Sequence, residues 1–384
     1  MSQTNSQDEI PLVLHDRYLL FSTFILLAFG LLMVASTSIV ISERQYGQPF
    51  HYFFHQLCYL LIGIGAGAVI FQIKINYWKQ IGLALLLASI GLLILVLLPV
   101  IGKQVNGSAR WLSFGPFGLQ VSEFVKLAMI VYLAGYLLRQ KKQIQTQIQG
   151  FLKPLLVLTL ITFLLLREPD FGAAAVILLT SLGMLFLAGV RLWQFTILFI
   201  GVIFVLGILA ISSPYRLARL TAFLNPWINQ FDSGYQLTQS LIAFGRGGWF
   251  GVGLGESVQK LFYLPEAHTD FLFAVLTEEL GLIGGLFMIL MFSVLVWRAL
   301  CIGQHCFNAG QLFPAYLAYG IGLNIALQVM INIGVNMGVL PTKGLTLPLM
   351  SYGGSSLVIT CMMLALLLRI DHEYRLSEFG FRLV

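Results

Sequence analysis

Near the three-quarter point of the chain, Tyr263-Leu-Pro-Glu-Ala-His-Thr-Asp270 brings Glu266, His268 and Asp270 to the mouth of a strongly apolar segment. Glu278 and Glu279 follow two turns further in. A carboxylate in or beside a membrane span is costly to keep there, so it is a functional suspect by default. What such a group offers is proton abstraction. A second set of residues offers the opposite charge: Arg110, Lys126, Arg216, Arg219, Arg246 and Lys343. Guanidinium and ammonium clusters suit phosphate or diphosphate. A lipid-borne diphosphate would suit this cationic set at the lipid boundary, with its tail in hydrocarbon and its headgroup in a basic pocket.

The rest of the chain says what must hold these groups. Charged residues make up 10% of it, hydrophobic residues 58%, and mean hydropathy is +0.88. Soluble domains carry about 25% charged residues, so this composition belongs in a bilayer. Ten apolar stretches are predicted to span it, at 18–41, 53–73, 81–101, 121–138, 151–166, 171–190, 192–211, 271–299, 312–339 and 347–368. The expected fold is therefore an all-α integral membrane protein. Residues 1–17 are read as an N-terminal tail, 18–369 as one polytopic membrane domain and 370–384 as a C-terminal tail. The first 17 residues lack the basic region of a cleavable signal peptide, so the first span is expected to stay as an anchor.

Orientation follows the Lys/Arg bias of short loops. With the N-terminus cytoplasmic, the inner segments hold Arg17, Lys74, Lys79, Arg139, Lys141, Lys142, Lys153, Arg191, Arg298, Arg369, Arg375 and Arg382. The short outer loops hold only Arg44, Lys103, Arg110, Arg167 and Lys343. Ten spans return the C-terminus to the cytoplasm. This bias explains most of the net charge of +6, and no nucleic-acid partner is needed. The four cysteines (Cys58, Cys301, Cys306, Cys361) fall in spans or on the inner side, so no disulfide framework is expected.

One long extracytoplasmic loop, 212–270, remains. A loop of that length usually carries function or its own structure. Its second part, Gly234 to Gly251 with Gln239 inside it, reads as a short amphipathic helix followed by a glycine run. Such a helix lies on or dips into the membrane surface. The glycines permit close backbone approach, or merely punctuate the loop.

Each candidate has a plainer reading. Asn106-Gly107 marks a turn. Ser122 can cap the fourth span, with Glu123 in its first turn. Glu123 and Lys126, three apart on that span, can form a satisfied ion pair; alternatively Lys126 joins Arg110 in a cationic pocket. In Arg167-Glu-Pro-Asp170, Asp170 caps the next helix, and Arg167 can pair with Glu168. Lys343, bracketed by Pro341 and Pro348, can snorkel to headgroups. Ser351-Tyr-Gly-Gly-Ser355 allows a broken or closely packed helix start. Glu278 and Glu279 lie too deep for direct chemistry and are expected to pair with basic or hydroxyl groups inside the bundle. Asp270 itself could simply cap the eighth span.

Several runs resemble the SEDS proteins of bacterial wall synthesis. They are Tyr263-Leu-Pro-Glu-Ala-His-Thr-Asp-Phe271 with Glu278-Glu-Leu-Gly281, and Leu340-Pro-Thr-Lys-Gly-Leu-Thr-Leu-Pro348 with Ser351-Tyr-Gly-Gly-Ser355. Asn106-Gly107, Arg110-Trp111, Ser122-Glu123, Pro169-Asp170, Asn225-Pro226-Trp227 and Gly234-Tyr235-Gln236 fit as well. The likeness extends over about residues 15–370. Thr342-Lys343-Gly344-Leu345-Thr346 and Leu368-Arg369-Ile370-Asp371 are more similar to the division member than to the elongation member.

The resemblance implies a peptidoglycan glycosyltransferase that polymerises lipid II at the division septum of the bacterial inner membrane. It implies partnership with a class B penicillin-binding transpeptidase and other divisome membrane proteins. The family's proposed catalytic acid maps by motif onto Asp270. An α-linked donor giving a β-linked product needs one inverting displacement, hence one base. Arg110, Lys126, Arg216, Arg219 and Lys343 are then expected to hold diphosphate, with Glu123, His268, Gln239 and Ser351 as further substrate contacts. Glu168 is given no catalytic role. A divalent cation, Mg2+ or Mn2+, bridging diphosphate and carboxylate is implied by the family; the sequence carries no dedicated metal motif and no organic cofactor is expected. The rival readings are a lipid II flippase or lipid-linked precursor transporter, and a passive scaffold that only recruits the transpeptidase.

Overall fold

The computed structural model describes residues 15–98, 102–105, 108–114, 117–190, 192–211, 223–228, 230–342 and 344–378. Each of the ten expected spans coincides with a helix. They are α1 (Arg17–Tyr46), α2 (His51–Gln72), α3 (Ile75–Leu97), α4 (Val121–Arg139), α6 (Ile148–Arg167), α7 (Phe171–Leu187), α8 (Leu192–Ile211), α10 (Leu272–Asn308), α11 (Leu312–Asn336) and α12 (Gly354–Glu378). Also described are two shorter α-helices, α5 (Lys141–Thr146) and α9 (Tyr235–Gly247), and a π-helical turn at Gln259–Tyr263. Among the described residues, eight helices are long and apolar enough to cross a membrane, and Phe171–Leu187 is a shorter apolar one. The chain is a multi-pass membrane protein.

The core is built on α4 and α12, each of which has 83% of its most apolar window buried. Around them α12 packs on α2, α3 on α4, and α10 on α11. In α4 the residues from Val125 to Leu137 are all buried. A helix apolar on every face is one that neighbours surround.

Loops expected on one face of the membrane do meet one another. Arg44 sits over the Phe262 ring at 4.8 Å, Arg110 bonds the 168–169 turn, and the amide of Tyr352 donates to the His268 carbonyl at 2.9 Å. At the opposite end Asp16 pairs with Arg298, and Glu373 accepts from the Ile75 amide at 3.0 Å and from Arg369 at 2.7 Å.

Four features depart from the sequence reading. A small antiparallel sheet stands where only a loop was expected: β1 (Gly102–Val105), β2 (Ser108–Phe114) and β3 (Phe117–Gln120), in the order β1-β2-β3. Val105 pairs with Ser108 on either side of Asn106-Gly107, and Trp111 pairs with both Lys103 and Gln120. The third span starts at Ile75 rather than 81, because Ile75 and Trp78 bury against the bundle. The last helix starts at Gly354, not 347. Pro348 and Leu349, at φ +65°, interrupt the backbone there, and the Ser351 hydroxyl accepts from the Leu347 amide at 2.9 Å. That helix also runs past 370, so Ile370 and Asp371 are buried helical residues rather than tail.

The fourth departure bears on the site. Helix α10 is not continuous: Gly281 has φ +72° and ψ −173°. The chain after α9 threads into this break. Val252 and Gly253 donate to the carbonyls of Glu278 and Glu279 at 3.0 and 3.1 Å, and Leu282 donates to Gly248 at 2.9 Å. A Cβ on Gly281 would collide with the backbone of Gly251 and Trp249. The glycine run therefore serves close approach, one of the two readings the sequence left open. Irregular backbone is tolerated in such a protein only when its polar groups find partners, and here loop and helix supply each other's.

Candidate active site

Asp270 lies in the turn that leads into α10 and is partly exposed. Its Oδ2 comes within 3.0 Å of where a Cβ on Gly344 would stand. Glycine at that position lets the 344–347 segment pass directly against the carboxylate. The Asp270 carbonyl accepts from Asn332 Nδ2 at 2.9 Å and Asn336 Nδ2 at 3.0 Å. Asn332 Nδ2 also donates to the Leu345 carbonyl at 2.6 Å, and Asn336 Oδ1 accepts from the Ala274 amide at 3.1 Å. Both asparagines are buried on α11. The sequence reading missed them, although two amides one turn apart in an apolar span are a signal in themselves, because unpaired polar groups there are expensive.

His268 is buried between Tyr52, with ring centroids 4.9 Å apart, and Tyr352, at 5.7 Å. Burial lowers its pKa, and the nearby Glu266 opposes this only in part. It is thus a neutral imidazole in an aromatic wall beside the Asp270 turn. Ser351 sits at the foot of the same wall. Its carbonyl accepts from the buried Gln56 Nε2 at 3.1 Å, and its hydroxyl is spent on the Leu347 amide.

The third part of the site is the turn between α6 and α7. Arg110, from β2, donates through Nε to the Glu168 carbonyl at 3.2 Å and through a terminal nitrogen to the Pro169 carbonyl at 2.6 Å. Asp170 caps α7 as expected, accepting from the Ala173 amide at 3.2 Å. Ser122 does not cap α4; its hydroxyl donates to Asp170 at 2.9 Å instead. Arg167 does not pair with Glu168 and stands over the Phe163 ring at 5.4 Å. Glu168 is 0% exposed, and neither of its carboxyl oxygens has a hydrogen-bond partner. Its pKa is pushed up to about 8, by burial first and the charge of Asp170 second, against the pull of Arg110. At neutral pH it is a protonated acid. Gly172, at the start of α7, lies against Leu345, with its would-be Cβ 2.9 Å from the Leu345 Cγ. The turn is therefore linked through one residue to the Asp270 wall.

The remaining candidates divide clearly. Glu123 and Lys126 form an ion pair of 2.7 Å with both side chains almost wholly buried. Gln239 is half-buried on α9. Arg216, Arg219 and Lys343 lie outside the described residues. Glu278 and Glu279 pair inside the bundle, as expected. Glu278 accepts from Ser257 and lies 3.4 Å from Arg246. Glu279 accepts from Lys260 at 2.9 Å and from Ser36 at 2.7 Å. Among the described residues, no three His, Cys, Asp or Glu side chains converge to hold a metal ion.

Residues 17–376 match the cell cycle protein family of FtsW, RodA and SpoVE. The chain belongs to that family. A probable peptidoglycan glycosyltransferase FtsW of Coxiella burnetii is 59% identical over 359 residues, 94% of this chain and 96% of that one. Its counterpart in Legionella pneumophila is 55% identical over 372 residues, 97% of this chain and 94% of that one. Among solved structures, a chain of a peptidoglycan synthase complex that coordinates polymerization and crosslinking superposes with a TM-score of 0.78 at 26% identity, covering 94% of this chain and 98% of that one. The rod shape determining protein RodA of Thermus thermophilus gives 0.70 at 25% identity, over 94% and 97%. This FtsW/RodA/SpoVE membership agrees with the resemblance carried by the sequence motifs.

Proposed function

We propose that this protein is a peptidoglycan glycosyltransferase that polymerises lipid II at the division septum of the inner membrane, with Asp270 as general base. The observation that carries the reading is Asp270 itself. It is a partly exposed carboxylate at the mouth of a transmembrane helix, with its backbone fixed by two buried amides and its side chain against a glycine.

In the proposed step the acceptor sugar's 4-hydroxyl oxygen attacks the anomeric carbon of the donor from the face opposite the lipid diphosphate. The new C–O bond forms as the bond to the diphosphate breaks, and configuration inverts. The hydroxyl proton passes to the Asp270 carboxylate. Negative charge develops on the departing diphosphate and needs cations near it. In the described structure Lys126 is paired with Glu123, while Arg110 gives two of its five N–H donors to carbonyls. We assign that role to Arg216, Arg219 and Lys343, with the remaining donors of Arg110. A class B penicillin-binding transpeptidase would crosslink the strands that leave, a pairing supported by the fold shared with a synthase complex that joins the two activities.

The test is glycan synthesis by the purified protein and its transpeptidase in detergent, with wild type beside Asp270→Asn. Detergent leaves no bilayer to flip across, so strands made by wild type alone would exclude a transporter. Strand elongation at wild-type rate by well-folded Asp270→Asn would refute the base assignment.

A further inference from the structure

An uninterrupted α-helix would bond the Ala274 amide to the Asp270 carbonyl, four residues back. Here that bond is replaced. The Ala274 amide donates to Asn336 Oδ1 at 3.1 Å and to the Phe271 carbonyl at 3.1 Å. The Asp270 carbonyl receives Asn336 Nδ2 at 3.0 Å. One carboxamide is thus spliced into the helical bond, accepting on one side and donating on the other. The chain leaves the helix at Phe271, with φ −107° and ψ 18°, and Asp270 stays on the turn rather than being wound into the first helical turn.

Asn332 completes the arrangement. One hydrogen of its amide goes to the same Asp270 carbonyl and the other to Leu345. Leu345 follows Gly344, the residue that lies against the Asp270 carboxylate. The two walls of the proposed catalytic pocket are therefore tied through a single side chain. Asn336 Nδ2 in turn donates to the Asn332 backbone carbonyl at 2.8 Å and lies 3.4 Å from Asn332 Oδ1, so the two amides are in contact.

We propose that Asn332 and Asn336 are positioning residues for the glycosyl-transfer step, holding Asp270 out of α10 and holding the 344–345 segment against it. This rests on Asp270 being the base. A purely structural role predicts something different. In Asn336→Ala the Ala274 amide can return to the Asp270 carbonyl, so the helix gains its missing bond and the protein should still fold. Asp270 would then be drawn toward the helix. A displacement of about 1 Å at a reacting group can cost about 100-fold in turnover.

The experiment compares wild type, Asn336→Ala, Asn332→Ala and Asp270→Asn, each as the full chain with its transpeptidase. It reads the stoichiometry and affinity of lipid II binding, then turnover per binding-competent site. The expected result is binding of one lipid II per site at near wild-type affinity, with turnover per site down about 10–100-fold in both asparagine variants. Wild-type turnover per site in both, with Asp270→Asn inactive, overturns the positioning role and spares the base. Turnover that falls only in step with lost binding sites overturns it too, in favour of a folding role. An active Asp270→Asn overturns base and positioning together.

Discussion

Glu168→Gln is the substitution whose effect the structure lets one work out most fully. The wild-type carboxyl is wholly buried, has no hydrogen-bond partner, and sits beside Asp170. Its pKa rises from an ordinary 4.5 to about 8 in the folded chain. Between those two values the folded state holds a proton that the unfolded state has released. Stability therefore falls as pH rises from about 4.5, and levels off above about 8. The gap of about 3.5, at 1.36 kcal/mol per pH unit, sets a ceiling of roughly 5 kcal/mol. Rotation of the ionised side chain toward Arg110 would recover part of that, leaving about 2–3 kcal/mol. Glutamine has nearly the same shape and nothing to titrate. The two proteins should melt together near pH 5, and the glutamine variant should gain by about 2–4 °C at pH 8 and above. The assay is thermal unfolding of the purified proteins in detergent at half-unit steps from pH 5 to 9. Melting curves that stay parallel across the range would refute the buried, protonated state.

Three further outcomes are expected. Lys260→Met strands Glu279 in the interior with Ser36 as its remaining side-chain partner; it should cost about 3–5 kcal/mol, read as a lower melting temperature, and Lys260→Met with Glu279→Gln should recover part of the loss. Gly281→Ala puts a side chain at φ +72° and drives its Cβ into the backbone of Gly251 and Trp249; the protein should fail to accumulate as a monodisperse peak in size-exclusion chromatography, and a normal yield would show that the loop is not wedged there. Gly344→Ala sets a methyl 3.0 Å from Asp270 Oδ2; strand synthesis should drop by about 10-fold or more with little change in melting temperature.

The helices were readable because hydropathy over about 20 residues is a strong signal. So were local pairings set by helical spacing, such as Glu123 with Lys126, and the capping of α7 by Asp170. The sheet was half visible. Asn106-Gly107 was read as a turn, but strands as short as Gly102–Val105 and Phe117–Gln120 carry too little alternation to declare themselves. The break in α10 was hidden for another reason. Apart from Glu278 and Glu279 the residues on both sides of Gly281 are apolar, and only the chain that inserts there, distant in sequence, makes the positive φ favourable. Arg110 has a use the sequence did not show. From sequence a guanidinium beside a tryptophan looks like an anion site; in the fold two of its five donors also meet carbonyls.

That second use points to how this end of the bundle is held together. Its loops lack regular structure, yet each backbone polar group at the membrane boundary still needs a partner. The helices and the sheet lend side chains for the purpose. Arg110 serves the turn at 168–169, Asn332 and Asn336 serve Asp270 and Leu345, and Gln56 serves Ser351. Polar residues in apolar spans thus split into two groups that composition cannot separate. One group binds backbone and fixes geometry; the other, Asp270, presents a partly exposed carboxylate at the proposed site. The difference is energetic. Removing Gln56 orphans the buried Ser351 carbonyl, at about 1–3 kcal/mol, whereas Asp270→Asn keeps the size and shape of the side chain and removes its charge. Melting temperature measured beside turnover across the same set of substitutions should therefore place Gln56→Ala, with stability lost, apart from Asp270→Asn, with turnover lost and stability kept.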